Sequence, residues 1–272
     1  MPSSPPRFAS LLANGFDILF VSHARAILEH DFAAQLDDLE AVLDGLTLPI
    51  TEIIGSGGGE TKFTQRLRND LARRGWRKHE FRVDKTIDGT LRESISHEVD
   101  HVKHVPDVGT LALEIEWNNK DPFFDRDLEN FKRLHAEGAI SVGMLVTRGA
   151  SLQSAMRDLV HRFTQERGID SFVHLEGLGY EPTSKQKVAV MNRVTRKKNP
   201  IPFPDAWTSN FVGNKFGQAT THWSKLMDRV QRGVGNPCPL LMIGLPASMV
   251  TFEAVPIEML GEDSPDPDAE AN

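Results

Sequence analysis

Apolar positions along the chain switch between a period near two and a period near 3.6, and the switches predict the elements. FDILFV (16–21) reads as a short strand. Residues 24–44 place Ile27, Leu28, Phe32, Leu36, Leu39 and Leu43 at helical spacing, with Gly45 as a stop. GSGGGETK (55–62) is a turn into the helix TKFTQRLRNDLARRG, which Gly75 ends. HEFRV (79–83) is a strand, and SHEVDHV (96–102) is a strand or turn leading to LALEIEW (111–117), which alternates cleanly. Asp125 to Glu137 is a helix with Leu128, Phe131 and Leu134 on one side. AISVGMLVT (139–147) is an unbroken apolar run, as a buried strand requires. An amphipathic helix covers 151–167, and the Pro-, Lys- and Arg-rich 180–205 reads as a long loop. A helix over 221–232 and the strand LLMIGL (240–245) follow. Strands alternating with helices predict an α/β fold. No repeat and no internal linker is evident, which predicts a single domain over 1–256 with an acidic, disordered tail at 257–272.

Composition narrows the function classes. The chain has 272 residues, 39% hydrophobic and 25% charged, enough apolar surface for a sizeable core. No apolar run approaches the ~18 residues of a membrane span, and the first twenty residues lack the pattern of a secretory signal. A single cysteine, Cys238, excludes an internal disulfide, a multi-cysteine zinc site and an iron–sulfur cluster, and a cytoplasmic location fits. Net charge is −7, but the tail holds Glu262, Asp263, Asp266, Asp268 and Glu270, and removing those five takes −7 to −2. Residues 185–198 carry Lys185, Lys187, Arg193, Arg196, Lys197 and Lys198 without an acid, so local patches say more than the total.

The candidate chemistry lies in LALEIEW. Strand alternation points Leu111, Leu113, Ile115 and Trp117 one way, and Ala112, Glu114 and Glu116 the other. Two carboxylates about 7 Å apart along one strand repel and raise each other's pKa unless a cation sits between them. Oxygen donors of this kind suit Mg²⁺. A third carboxylate comes from upstream, as Asp100 in SHEVDHV or Asp107 in the Pro-Asp-Val-Gly turn. By pattern alone, the pair could equally line the solvated face of an antiparallel strand.

HEVDHVK, then ALEIEWNNKDPFFDRDLENF, then ISVGMLVTRG resemble the type II restriction endonucleases of the BglII/BstYI family, as do FGQATTHWSKL (216–226) and CPLLMIGL (238–245). The resemblance runs over about 55–148 and 211–245. It implies a restriction-endonuclease-like core, a central mixed β-sheet flanked by helices, with the BamHI-like E-x-E variant of the PD-(D/E)xK signature. The resemblance implies the following roles. Asp100 and Glu114 bind Mg²⁺, the backbone carbonyl of Ile115 adds a ligand, and Glu116 orients the attacking water. Glu60, at the start of the 61–74 helix, resembles an acidic helix residue placed near the metal; a glutamate there also suits the helix dipole. The Asp100–Glu114 spacing is longer than the family pattern, which keeps Asp107 as the alternative ligand. The resemblance further implies double-stranded DNA as substrate, a homodimer that cuts both strands of a palindrome, a 5′-phosphate product, and a cognate DNA methyltransferase protecting host DNA.

Two other readings remain open on the residues. His97-Glu98-Val99-Asp100-His101 matches H-E-x-x-H, the motif of zinc peptidases, provided that it lies on a helix. A nuclease-like core without catalysis would leave a DNA-binding protein. For DNA contact the candidates are Asn118, Asn119 and Lys120 after the acidic strand, with Lys185, Lys187, Asn192, Arg193, Arg196, Lys197 and Lys198 in the basic stretch. Arg126 follows the same strand, and Asp125 reads as the N-cap of the 126–137 helix. Trp117, Trp223 and Cys238 read as core.

Overall fold

The computed structural model describes residues 7–55 and 61–252. In chain order the elements are α1 (Ala9–Ala13), β1 (Asp17–Val21), α2 (Ala24–Asp31), α3 (Ala33–Asp44), β2 (Leu48–Pro49), α4 (Ile50–Ile54) and α5 (Lys62–Arg73). Then come β3 (Arg77–Ile87), β4 (Thr90–Val105), β5 (Gly109–Glu116), α6 (Phe123–Ala136), β6 (Val142–Arg148) and α7 (Ala150–Glu166). The last are α8 (Phe172–Glu176), α9 (Ser184–Val194), α10 (Phe203–Lys215), α11 (Trp223–Gln231), β7 (Leu240–Leu245) and β8 (Val250–Thr251).

Contacts divide the described residues into two compact units. The first holds the residues up to Thr47, Lys62–Met156 and Lys215–Met249; the second holds those of Leu48–Thr61, Arg157–Asn214 and from Val250 onward. The division falls inside α7.

The first unit is built on a six-stranded sheet of order β1-β7-β6-β5-β4-β3. β5, β6 and β7 run parallel, while β4, β3 and β1 join antiparallel, so the sheet is mixed. The parallel centre explains the unbroken apolar run of β6, whose seven residues are all buried. Register then sorts the side chains. Ala112 pairs with Gly143 and Gly143 with Leu240, and on that face Ala112, Leu145, Leu240 and Met242 pack with Phe124, Leu128, Phe131 and Leu134 of α6. Gly143 is needed for this approach, because a Cβ there would stand 2.6 Å from the Phe131 ring. The opposite face presents Leu113, Trp117 and Met144, and Phe63 of α5 meets Trp117 with ring centroids 5.1 Å apart.

The second unit contains the short parallel pair β2–β8 and the helices α4, α8, α9 and α10. Its core includes Tyr180, Trp207 and Phe211, with Trp207 and Phe211 stacked at 5.0 Å.

Several sequence expectations need correction. The 24–44 helix is two helices that break at Phe32, whose φ of −125° leaves the helical range while its ring stays buried. The 180–205 loop contains α9 and the start of α10. The signal for α9 was local: Thr183 and Gln186 form a capping box, and Val190 supplies the buried contact. Asp125 is not an N-cap, because α6 starts two residues earlier at Phe123 behind Pro122. Its carboxylate instead accepts from Arg229 Nε at 2.9 Å. Trp117 and Cys238 are buried, and Trp223 packs partly buried against the core.

Candidate active site

β5 delivers Glu114 and Glu116 to the α6 face of the sheet, as two-residue alternation dictates. Both are buried, at 7% and 3% exposure. β4 pairs antiparallel with β5 through His101–Leu113, so one step further Asp100 lies across from Glu114. The Asp100 backbone N–H donates to the Glu114 carboxylate. Asp100 itself is exposed, at the rim. Asp107 sits in the β4–β5 turn with φ 60°, roughly 20 Å along the strand from that level. Of the two upstream candidates, the fold brings Asp100 beside the glutamates and leaves Asp107 apart.

A fourth carboxylate joins them from α6. Asp127 is 1% exposed and lies close enough to Glu116 that each carboxylate shifts the other's pKa. Its Oδ1 accepts from Arg126 Nε at 2.8 Å, while its Oδ2 is buried with no hydrogen-bond partner. The sequence reading missed Asp127, although a signal existed. Phe124, Leu128 and Phe131 mark the buried stripe of the helix, and position 127 falls inside it.

Burial dominates the electrostatics. It pushes Glu114 up to about 10, helped by the charges of Asp100 and Asp127. It pushes Glu116 up to about 8, with Asp127 adding to the rise while the Asn119 amide and Arg126 pull the other way. Asp127 is also raised, again chiefly by burial. Compensation is thin. Arg126 Nη2 stands 3.5 Å from Glu116 Oε1, and that side chain is 53% exposed and lies over the Phe123 ring. Asn119 Nδ2 donates to Glu116 Oε2 at 2.8 Å.

The loop after β5 is pinned from behind. Asn119 N–H donates to Thr221 Oγ1 at 3.1 Å, Thr221 N–H to the Asn119 carbonyl at 2.8 Å, and Asp121 N–H to the Ala219 carbonyl at 3.0 Å. Lys120 is exposed there, and Asn118 Oδ1 is buried without a partner. Ile115 lies between the two glutamates with its side chain on the other face. Glu60 lies outside the described residues.

The H-E-x-x-H reading fails on geometry. Residues 97–101 lie in the strand β4, whereas that motif needs a helix to bring both histidines to one metal. His101 is instead a core residue: its Nδ1 donates to the Leu113 carbonyl at 3.3 Å, and burial lowers its pKa to about 4.

The basic stretch belongs to the second unit. Lys187 pairs with Glu176, Arg193 donates to Ser209 Oγ at 3.1 Å, and Arg196 donates to the Asn199 carbonyl. Lys185, Asn192, Lys197 and Lys198 are exposed.

A mixed sheet with acid-x-acid on its central strand, faced by an Asp from the neighbouring hairpin strand, is the arrangement that the sequence resemblance implied. The family model of restriction endonuclease BglII/BglIII matches residues 16–245. The chain belongs to the BglII/BglIII restriction endonuclease family. The match takes in every strand of the six-stranded sheet and the whole acid cluster. No curated protein matches the chain. Among the described residues no helix is long and apolar enough to cross a membrane.

Proposed function

We propose that this member of the BglII/BglIII family is a Mg²⁺-dependent type II endonuclease that hydrolyses phosphodiester bonds of double-stranded DNA at a short palindromic site. The observation that carries the reading is the acid cluster: Glu114, Glu116 and Asp127 buried together, Asp100 at the rim, and one half-exposed arginine against them. Carboxylates held this way favour a cation over their own ionisation in isolation. Among the described residues no three Asp, Glu, His or Cys side chains already converge as a metal cage. The donor set still fits the ion. It is all oxygen, it includes the unpartnered Oδ2 of Asp127, and Mg²⁺ keeps several waters rather than demanding a full protein cage.

In this reading Asp100, Glu114 and the Ile115 carbonyl hold the ion. Bound there, Mg²⁺ would neutralise charge on the phosphate and make a water more acidic. Glu116 orients that water and accepts its proton, and Asn119 and Arg126 fix the carboxylate in place. The products are a 5′-phosphate and a 3′-hydroxyl. A two-fold homodimer puts one such site on each strand of a palindrome, and a methyltransferase of the same restriction–modification system spares cytoplasmic host DNA.

The test is an agarose gel of unmethylated phage DNA incubated with the protein in Mg²⁺ or in EDTA. Discrete bands in Mg²⁺ alone are expected. A smear would remove site specificity, and intact DNA that nevertheless shifts in a binding gel would favour a non-catalytic DNA-binding protein. A second measurement addresses the basic stretch over 185–198. Replacing Lys185, Lys197 and Lys198 by alanine is expected to weaken duplex binding and to lower the salt slope by up to about 0.9 for each phosphate that is no longer neutralised. An unchanged slope would remove the 185–198 stretch from the DNA-binding surface.

A further inference from the structure

Arg148, the last residue of β6, is fully buried at 0% exposure, and among the described residues no carboxylate pairs with it. Burial lowers its pKa to about 9, and among the described residues its Nε and Nη1 have no hydrogen-bond partner. A leucine or methionine would fill the same space without desolvating a charge. The contacts that it does make all fall on one segment. Nη2 donates to Thr220 Oγ1 at 2.6 Å and to the Thr221 carbonyl at 2.6 Å, and the guanidinium lies 4.9 Å from the Phe216 ring centroid. Gln153 Nε2 fastens the same segment by donating to the Phe216 carbonyl at 2.9 Å, and Thr220 Oγ1 closes it on the Gly217 carbonyl at 2.7 Å.

That segment is the one bonded to the loop after β5. Thr221 exchanges bonds with Asn119, Ala219 accepts from Asp121, and Asn119 in turn holds Glu116. The chain of contacts runs Arg148, Thr220–Thr221, Asn119, Glu116. Direct pairing of Arg148 with Glu116 is ruled out by strand parity. Glu116 pairs in register with Thr147, so Arg148 points to the opposite face, where Trp117 and Phe216 lie.

We propose that Arg148 is a positioning residue, a buried clasp that fixes the 119–121 loop through Thr220 and Thr221 and so sets the orientation of Asn119 and Glu116. The link to catalysis rests on the nuclease reading; the clasp itself does not.

Hydrogen–deuterium exchange and single-turnover cleavage test the two parts separately. In Arg148→Met, exchange at the amides of 118–121 should rise while the β6 and β7 strands stay protected. Cleavage of phage DNA should fall about 10–100-fold, the range seen when a supporting partner of an active-site ligand is lost. Duplex affinity in EDTA should move far less than the rate. Arg148→Lys should restore part of the rate, and Arg148→Met should add little in an Asn119→Ala background. A merely structural residue would instead add its effect to Asn119→Ala and lower rate and affinity together. Unchanged exchange at 118–121 would overturn the clasp. Looser exchange with wild-type cleavage would overturn its role in positioning. Should Arg148→Met unfold the sheet, Thr221→Val decides by the same two readouts, because it cuts the chain of hydrogen bonds at the Asn119 amide without touching the buried charge. Wild-type protein that cuts no DNA in Mg²⁺ would count against the nuclease reading alone, and exchange would still judge the clasp.

Discussion

Two buried charged sites lie one strand apart in the sheet, and they are satisfied in opposite ways. On β5 the carboxylates of Glu114 and Glu116 share their face with Asp127, and burial raises all three. On β6 the Arg148 guanidinium lies on the other face, with a hydroxyl, a carbonyl and an aromatic ring as neighbours. A carboxylate could have neutralised the arginine, and the arginine a carboxylate, but the two-residue period of parallel strands keeps them on opposite sides of the sheet. The difference separates two uses of buried charge. The acid cluster keeps one oxygen, Asp127 Oδ2, without a partner among the described residues and like charges in contact, so it gains most from an added cation. The arginine directs only Nη2 to backbone and threonine, and its Nε and Nη1 have no partner among the described residues. Burial and unpartnered polar atoms occur at both sites; like charges held in contact set the acid cluster apart.

The comparison breaks first at Glu114. Glu114→Ala is expected to lower Mg²⁺-dependent cleavage by about 10³-fold or more, as expected when several kcal/mol of transition-state stabilisation are lost. Duplex binding in EDTA should persist. Glu116→Ala should behave alike. Single-turnover digestion of phage DNA measures both, and cleavage surviving in both variants would mean that the chemistry lies elsewhere.

How much of this arrangement the sequence disclosed follows from the range of each signal. β5, β6 and β7 were legible because alternation and unbroken apolar runs are local patterns, and the pairing of Glu114 with Glu116 follows from one strand's parity. The reach of the β3–β4 hairpin was not legible. Much of its length is exposed, so no buried face imposes a period on it. Asp127 was hidden because its neighbour Glu116 lies on another element, eleven residues earlier, although its place in an apolar stripe was visible. Arg148 was hidden more deeply. Nothing in LVTRG tells that its partners come from 220–221, more than seventy residues away. Helix α9 shows the opposite error, since six cations drew attention from a capping box in the preceding residues.

The next largest effect lies in the stability of the metal-free protein. Glu114 and Glu116 have folded-state values above their unfolded ones, so folding holds protons that the unfolded chain releases above about pH 4.5. Stability from these two therefore falls as pH rises. His101 and His222 are depressed to about 4, so they cost stability as pH falls below 6.5 and contribute no slope above it. Between pH 4.5 and 6.5 the two pairs oppose each other. From 6.5 to about 8 the carboxylates act alone, and above about 8 the fall from Glu114 is opposed by Lys215 and Arg148, whose values burial lowers to about 8 and about 9. The slope should be up to about 1.4 kcal/mol per pH unit for each group. Urea denaturation in EDTA across pH 6.5–8 measures it. Glu114→Gln should flatten the curve, and saturating Mg²⁺ should flatten it in the wild type. A metal-free protein with no pH dependence in this window would contradict the account of burial.

The smallest expected effect comes from Arg126, the one cation among the described residues that pairs with the acids. Its ion pairs with Glu116 and Asp127 reach 3.5 and 2.8 Å, but half of the side chain is in solvent, so screening limits their worth to about 1 kcal/mol or less. Arg126→Gln should cost the metal-free protein no more than that at pH 6.5. The sign of the pH effect is more telling than its size. Without the guanidinium, Glu116 and Asp127 lose a charge that favours their ionised forms, so their folded-state values rise further. The loss of stability with rising pH should then be steeper above pH 8 in Arg126→Gln than in wild type, and Mg²⁺ should narrow the gap by replacing the missing positive charge. Arg148→Met offers the control from the other face of the sheet. It removes a cation that touches no carboxylate among the described residues, so between pH 6.5 and about 9, where its own lowered pKa lies, it should leave the pH slope unchanged while changing the exchange of the 119–121 loop. If Arg126→Gln and Arg148→Met altered the pH slope equally, the sheet would not be insulating the two charges, and the distinction drawn between them would collapse.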